Sequence, residues 1–232
     1  IGQNHNGDIE NAFKLIDNAK TAGFTAAKFT KRDIDWELTE EGYNRPYDNH
    51  NSFGETYGEH REFLELDESE YQRIKAYCDE KDIIFFCTAC DPPSVDMMER
   101  IGNPIYKIAS RDLTNLPLLE HVAKTGKDVI MSTGMAEYED IELALEVFEA
   151  YNTNVAIMQC TSEYPTPMED VNLNVMATLR EKYNRPIGLS DHTAGVLTAP
   201  LAVVLGAELI EKHITLSRAM KGTDQPGSLE YP

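Results

Sequence analysis

Two lysines interrupt runs that are otherwise apolar: Lys28 in Ala26-Ala27-Lys28-Phe29-Thr30, and Lys107 in Ile105-Tyr106-Lys107-Ile108-Ala109. A lysine inside an apolar strand has to reach solvent or pair with an anion, because burying an ammonium alone is costly. One resolution is a Lys–Glu pair closing the interior. The other is a pocket for phosphate or carboxylate, and Ser110 and Ser132, nearby by topology, favour the pocket. Two histidines follow later strands: His192 in Leu189-Ser190-Asp191-His192-Thr193, and His213 in Glu211-Lys212-His213. A lone histidine is more often structural than a ligand. Two at neighbouring strand ends can share one metal ion and leave positions open for water and substrate; two nitrogens with oxygen partners suit Mn²⁺ or another octahedral divalent ion.

The elements that must position these groups come from a regular alternation. Short β-branched or apolar runs at 25–30, 83–88, 105–108, 128–132, 154–159, 186–189 and 208–213 predict strands. Between them, amphipathic stretches at 8–22, 67–81, 92–101, 116–124, 138–150, 172–182 and 196–205 predict helices, several ended by glycine, as at Gly23, Gly102, Gly126 and Gly206. Strand–helix alternation with short connections points to a parallel sheet. The opening Ile1-Gly2-Gln3-Asn4-His5 reads as the end of one more strand, which brings the count to the eight of a closed (β/α)8 TIM barrel. An open dinucleotide-binding sheet would show a Gly-rich fingerprint that Gly2 to Gly7 lacks. Read this way, 1–232 is one catalytic barrel domain, clipped within its first strand and after its last. In such barrels the reactive groups project from the carboxyl ends of the strands. That rule collects Asn4, His5, Lys28, Lys31, Thr88, Lys107, Ser110, Asp112, Ser132, Thr133, Thr161, Ser162, Tyr164, Ser190, Asp191, His192, Glu211 and His213.

One connection, 31–66, is far longer than a normal βα loop. Its aromatics (Trp36, Tyr43, Tyr47, Phe53, Tyr57) predict a folded flap over the site. The formal charge of −19 excludes a nucleic-acid partner, which needs clustered cations, while leaving room for a small anionic substrate. Acidic residues such as Glu137, Glu139, Asp140, Glu142 and Glu146 fall on predicted solvent faces. No apolar run is long enough to cross a bilayer. The four cysteines, including a lone Cys87-x-x-Cys90 pair, read as buried or pocket-side thiols of a cytoplasmic protein.

The motifs Gly2-Gln3-Asn4-His5-Asn6-Gly7, Tyr106-Lys107-Ile108, Ser132-Thr133-Gly134-Met135, Cys160-Thr161-Ser162-Glu163-Tyr164-Pro165, Ser190-Asp191-His192, Glu211-Lys212-His213-Ile214-Thr215-Leu216 and Lys221-Gly222-Thr223-Asp224 occur in one order. Together they resemble the N-acetylneuraminate (sialic acid) synthase family across essentially the whole chain. The loop Arg45-Pro46-Tyr47 and Tyr57-Gly58-Glu59-His60 is most similar to the animal-type sialic acid 9-phosphate synthases. The resemblance implies condensation of phosphoenolpyruvate with N-acetylmannosamine or its 6-phosphate, with Mn²⁺ (Mg²⁺ or Co²⁺ as substitutes) held by His192 and His213. It also implies that Lys28, Lys107, Ser110, Ser132 and Ser190 hold phosphoenolpyruvate. Tyr164 and Asp224 then contact the sugar, Thr161 and Ser162 line the substrate pocket, and Asp112 and Glu211 stand by the metal and the reacting carbons. The resemblance also implies a C-terminal antifreeze-like domain joining a domain-swapped homodimer, and that domain is expected to fall outside 1–232. Thr30, Ser162 and Gln225 depart from the common family pattern, and these departures bear on the sugar. Two further enzymatic readings are a legionaminate- or pseudaminate-type synthase acting on a diacetamido hexose, and a Schiff-base aldolase using Lys107. The non-enzymatic one is a sugar-phosphate-binding module that has lost its chemistry.

Overall fold

The structure, a computed structural model, describes residues 1–231. They divide into two compact units: Ile1–Asn103 with Ile214–Gln225 and the chain end from Glu230, and Pro104–His213 with Pro226–Leu229.

In the first unit the strands are β1 (Ala26–Lys31) and β2 (Ile84–Ala89), paired in parallel from Ala26↔Ile84 to Lys31↔Ala89. Period-2 alternation sends Ala27 and Phe29 into an apolar layer. There Phe29 meets Tyr71 edge-on at 6.2 Å and Phe85 at 5.9 Å, and the Tyr71 hydroxyl donates to the Thr30 carbonyl at 2.8 Å. Lys28, of opposite parity, lies on the other face with its Nζ 3.4 Å from Thr88 Oγ1. The expected opening strand is reduced to one parallel bridge, Gly2↔Phe29. Helices α1 (Ile9–Thr21), α5 (Glu68–Glu80) and α6 (Pro92–Ile101) each start on an aspartate side chain: Asp8, Asp67 and Asp91 accept backbone N–H groups of the first turn. Helix α6 stops where Gly102 takes a left-handed conformation, φ +87°.

The long connection is folded, as its aromatics predict. It holds three short helices, α2 (Ile34–Glu37), α3 (Glu40–Asn44) and α4 (Tyr57–Phe63), that the periodicity did not reveal. Helix α4 opens with a reciprocal Thr56–Glu59 capping box. The segment's two ends are tied to Glu65, whose carboxylate accepts from Lys31 Nζ at 2.9 Å, the Arg32 backbone at 3.1 Å and Gln3 Nε2 at 3.0 Å.

In the second unit β3 (Tyr106–Ile108), β4 (Val129–Ser132), β5 (Val155–Cys160), β6 (Ile187–Asp191) and β7 (Leu209–Lys212) pair in that order, all parallel. Helices α7 (Leu116–Ala123), α8 (Tyr138–Ala150), α9 (Val175–Tyr183) and α10 (Thr198–Val204) separate them. Helix α9 is shorter than its predicted span, which began in the turn preceding it. Helix α8 keeps Glu137, Glu139, Glu142 and Glu146 in solvent and buries Ile141, Ala144, Leu145 and Phe148 on the opposite face. All four cysteines are buried and unbridged. No helix among the described residues is long and apolar enough to cross a membrane.

Candidate functional site

The reactive groups of the second unit come from the last residues of its strands or the turns just beyond. Strand β3 is buried throughout, with Tyr106 and Ile108 of one parity and Lys107 of the other. Lys107, its side chain 3% exposed, donates to Ser132 Oγ at the end of β4 and lies 3.5 Å from Glu211 Oε1 on β7. The same Glu211 oxygen accepts from Ser190 Oγ on β6 at 2.7 Å. Four residues singled out in the sequence are therefore one contiguous polar chain, and Glu211 is the carboxylate that the Lys–Glu reading of Lys107 calls for. Just past β3, a single 3-10 turn, Ser110–Asp112, presents Ser110 Oγ to the Gly134 amide at 3.0 Å. Asp112 in that turn is buried, with a carboxylate oxygen 3.4 Å from Arg111 Nε.

A second cluster surrounds the histidines. The His192 ring lies 5.4 Å from that of His213, centroid to centroid, with 46° between planes. Tyr164 packs on His192 at 4.0 Å and stands edge-on to His213 at 5.7 Å. His192 Nδ1 is 3.2 Å from the Thr161 carbonyl oxygen and 3.7 Å from Cys160 Sγ. A carbonyl can only accept, so Nδ1 is the donor in this contact and Nε2 is the nitrogen left for a metal. That is the tautomer a metal ligand needs, oriented by a backbone acceptor.

Beneath the two histidines, Asp191 and Lys212 join the ends of β6 and β7. Asp191 Oδ2 accepts from Lys212 Nζ at 3.0 Å and from Thr198 Oγ1, and Lys212 also donates to the Thr193 carbonyl. Burial works against the aspartate's charge, but hydrogen bonds from Thr198, the Thr193 backbone and Lys212 outweigh it and hold the carboxyl below its ordinary value. Both side chains are almost fully enclosed, at 3% and 1% exposure, so the pair fixes where the two following imidazoles emerge.

Cys160, read from the sequence as a buried or pocket-side thiol, is buried with its Sγ 3.7 Å from His192 Nδ1. Sequence reasoning missed two contributors. At Gly134 a Cβ would come within 2.5 Å of Ser162 Oγ and 2.9 Å of the Cys160 carbonyl, so only glycine fits. Lys212 looked like a strand lysine and is instead the Asp191 partner. Lys28 and Asp224 lie in the first unit, Lys28 against Thr88 and Asp224 beside the Thr223 hydroxyl at 3.0 Å. Asn4, also there, donates to the Ile214 carbonyl at 2.8 Å.

Known proteins are similar to this chain along nearly its full length. Human N-acetylneuraminate-9-phosphate synthase is 37% identical over 231 residues, 99% of this chain and 64% of the human protein. The N,N'-diacetyllegionaminic acid synthase of Campylobacter jejuni is 38% identical, with 99% and 70% covered. Among solved structures, an N-acetylneuraminic acid synthetase from Leptospira borgpetersenii in complex with citrate superposes with a TM-score of 0.87 at 37% identity, covering 99% of this chain and 76% of that one. The fold class expected from the alternation, α/β of the TIM-barrel kind, stands on that superposition. The chain spans just under two thirds of the human, mouse and fly relatives, at 64%, 64% and 62% of their lengths. A family model described as NeuB matches residues 15–232, and with that coverage the chain belongs to the NeuB family.

Proposed function

We propose that the protein is a phosphoenolpyruvate-dependent N-acylneuraminate synthase, joining C3 of phosphoenolpyruvate to the aldehyde carbon of N-acetylmannosamine or its 6-phosphate. Addition of water at C2 and C–O cleavage then release phosphate and leave a nine-carbon 2-keto acid. The observation that carries this reading is the His192–His213 pair with the His192 tautomer set by Thr161. The ring centroids are 5.4 Å apart, near enough for one nitrogen of each histidine to reach a shared divalent ion. Among the described residues no group of three or more His, Cys, Asp or Glu could hold a metal ion, so His192 and His213 are the two residues that would hold it. Mn²⁺ is the ion we assign, and when bound it supplies Lewis-acid polarisation of the aldehyde.

The residues then divide the work. Lys107, with the hydroxyls of Ser110, Ser132 and Ser190, offers a cation and donors to the phosphate and carboxylate of phosphoenolpyruvate, orienting its C3. Glu211, bonded to Ser190, is placed to take the proton from the attacking water, and Asp112 is a second carboxylate for proton transfer. Tyr164, Thr161 and Ser162 wall the pocket on the histidine side. Four buried thiols without a disulfide support a cytoplasmic setting. The resemblance adds a homodimer of the full-length protein, which sedimentation would test.

The deciding experiment is phosphate release by the full-length protein, comparing N-acetylmannosamine, its 6-phosphate and diacetamido hexoses, each with and without chelator. We expect chelation and either His192→Ala or His213→Ala to abolish release. A metal-dependent rate that survives both substitutions refutes the ligand assignment. Borohydride trapping of an imine at Lys107 with pyruvate would establish the aldolase reading instead.

A further inference from the structure

Strand β6 ends at Asp191 and β7 at Lys212, so the ladder that fixes their register stops at the pair Asp191↔Lys212. His192 and His213 are the first residues past it. The ladder therefore does not set the distance between the two imidazoles. Their placement depends on what grips the chain just beyond the strand ends.

For His192 that grip is the Asp191–Lys212 pair. Thr193, on the far side of His192, has both backbone groups engaged by it: its amide donates to Asp191 Oδ1 at 2.9 Å, and its carbonyl accepts from Lys212 Nζ. The peptides before and after His192 are thus tied to each other and to the residue that precedes His213. On the other side, the His213 carbonyl accepts from the Leu229 amide at 2.8 Å. Thr198, the first residue of α10, completes the arrangement. Its hydroxyl donates to Asp191 Oδ2 and lies 3.0 Å from that of Thr193. Alternation along the strands puts Asp191 and Lys212 on the face opposite Ser190 and Glu211, so the pair supports the site from behind.

Two features distinguish this pair from an ordinary staple between strands. Lys212 directs its three N–H groups to Asp191 Oδ2 at 3.0 Å, the Thr193 carbonyl and Thr193 Oγ1 at 3.4 Å, which leaves none for a substrate anion. A buried ion pair also contributes little net stability, because the desolvation of two charges offsets their attraction, and apolar residues of similar volume often do as well. What an apolar pair cannot do is hold the amide and the carbonyl of Thr193 at once.

We infer that Asp191 and Lys212 are positioning residues that set the spacing of His192 and His213 before any ion binds, so that the metal site is preformed. The inference deepens the synthase reading and rests on it for the identity of the ion. Ligands already held at their working spacing bind without an ordering cost. Loss of such supporting partners typically weakens a metal site about 10–100-fold.

The test is titration of Mn²⁺ alone into the full-length protein, read by the electron paramagnetic resonance of the free ion, beside urea unfolding. Asp191→Asn combined with Lys212→Met removes both charges and the bond to the Thr193 carbonyl, while the new amide oxygen can still accept from the Thr193 amide. This double variant should keep the parent's unfolding midpoint and bind Mn²⁺ about 10–100-fold more weakly. In metal-free crystals its His192–His213 ring separation should depart from 5.4 Å. Thr198→Val leaves the charges paired and loses one hydroxyl. It should weaken Mn²⁺ by about two- to tenfold, the scale of one hydrogen bond, and it decides the matter if the double variant does not fold. Unchanged Mn²⁺ affinity in either folded variant, or a loss that only tracks the fraction unfolded, overturns the inference. The claims fail separately. A parent that binds no Mn²⁺ removes the metal reading alone, since the ring separation in the variants still decides the positioning role, and Mn²⁺ binding without phosphate release removes the synthase reading alone.

Discussion

Glu65 is the place where one substitution should do most to the flap. Its carboxylate ties Lys31 and Arg32, where the flap begins, to its own position, where the flap ends, and it reaches Gln3 as well. Exposure is 10% for Glu65 and 14% for Lys31, so the pair is nearly dry. Burial pushes the Glu65 carboxyl above its ordinary value, and the opposing pull of Lys31 and Arg32 does not fully offset it. Two expectations follow from that imbalance. Glu65→Ala leaves the Lys31 ammonium with only the Leu66 carbonyl at 3.1 Å, and stranding a buried charge costs about 3–5 kcal/mol. Removing both charges should cost much less, because the desolvation of each disappears too.

At about 2–4 °C per kcal/mol for a chain of this size, Glu65→Ala should melt about 6–20 °C lower. Glu65→Gln, which retains an acceptor for the Arg32 amide, should lose about 1–3 kcal/mol. The double variant Lys31→Met with Glu65→Leu should return to within about 1 kcal/mol of the parent. Urea unfolding measures the energies, and hydrogen exchange of the α4 amides locates them, since a clamp that fails locally exposes α4 before the rest. If Glu65→Ala shifts stability by less than about 1 kcal/mol and leaves α4 protected, the clamp is an accident of geometry. If the double variant is as damaged as Glu65→Ala, the charge argument is wrong and packing dominates.

Gly7→Ala should destabilise the first unit by more than about 2 kcal/mol in the same urea assay, since Gly7 has φ +70° and a Cβ there would lie 2.0 Å from the Phe63 carbonyl oxygen. Acid should destabilise the protein well above the carboxylate range. Burial lowers His5 to about 3 and His60 to about 4, each from 6.5. The unfolded chain therefore binds protons that the native one refuses as pH falls below 6.5, and each histidine removes about 1.4 kcal/mol per pH unit until its folded value is reached. Unfolding curves of equal midpoint at pH 7 and pH 4.5 would contradict this.

The fold was legible because its signals are local. The seven strands predicted from 25 onward reappear within about two residues at each end, since β-branched runs bounded by turn residues leave little choice of span; the opening strand does not, being one bridge at Gly2. Helix starts were legible through Asp8, Asp67 and Asp91. The flap's helices were not, because α2 and α3, at four and five residues, are too short to show a period. For the site, the strand-end rule found the groups but not their partners. That Lys107 would meet Glu211, and Lys212 meet Asp191, depends on strand register, which one sequence does not disclose: Ser190↔Glu211 and Asp191↔Lys212 are adjacent pairs of the same ladder. Had β7 shifted by one residue, the two acid–base pairs would have exchanged faces.

That register makes Glu211 the residue whose substitution discriminates best between a structural and a chemical role. Without substrate, its Oε1 lies 3.5 Å from Lys107 Nζ and accepts from Ser190. A phosphate dianion entering beside Lys107 competes with Glu211 for that ammonium, and a carboxylate that loses a cation and gains an anionic neighbour becomes a better proton acceptor. Substrate binding would thus arm the base for the water step. Glu211→Gln removes the competitor and the base together, while its amide oxygen can still accept from Ser190. We therefore expect phosphoenolpyruvate to bind as tightly as in the parent or more tightly, while turnover falls about 10²–10⁴-fold, the range of a lost general base. A purely structural Lys–Glu pair predicts the opposite split, with binding and stability falling together and turnover on bound substrate largely kept. Single-turnover phosphate release at saturating substrate, with a separate titration of phosphoenolpyruvate, separates the two.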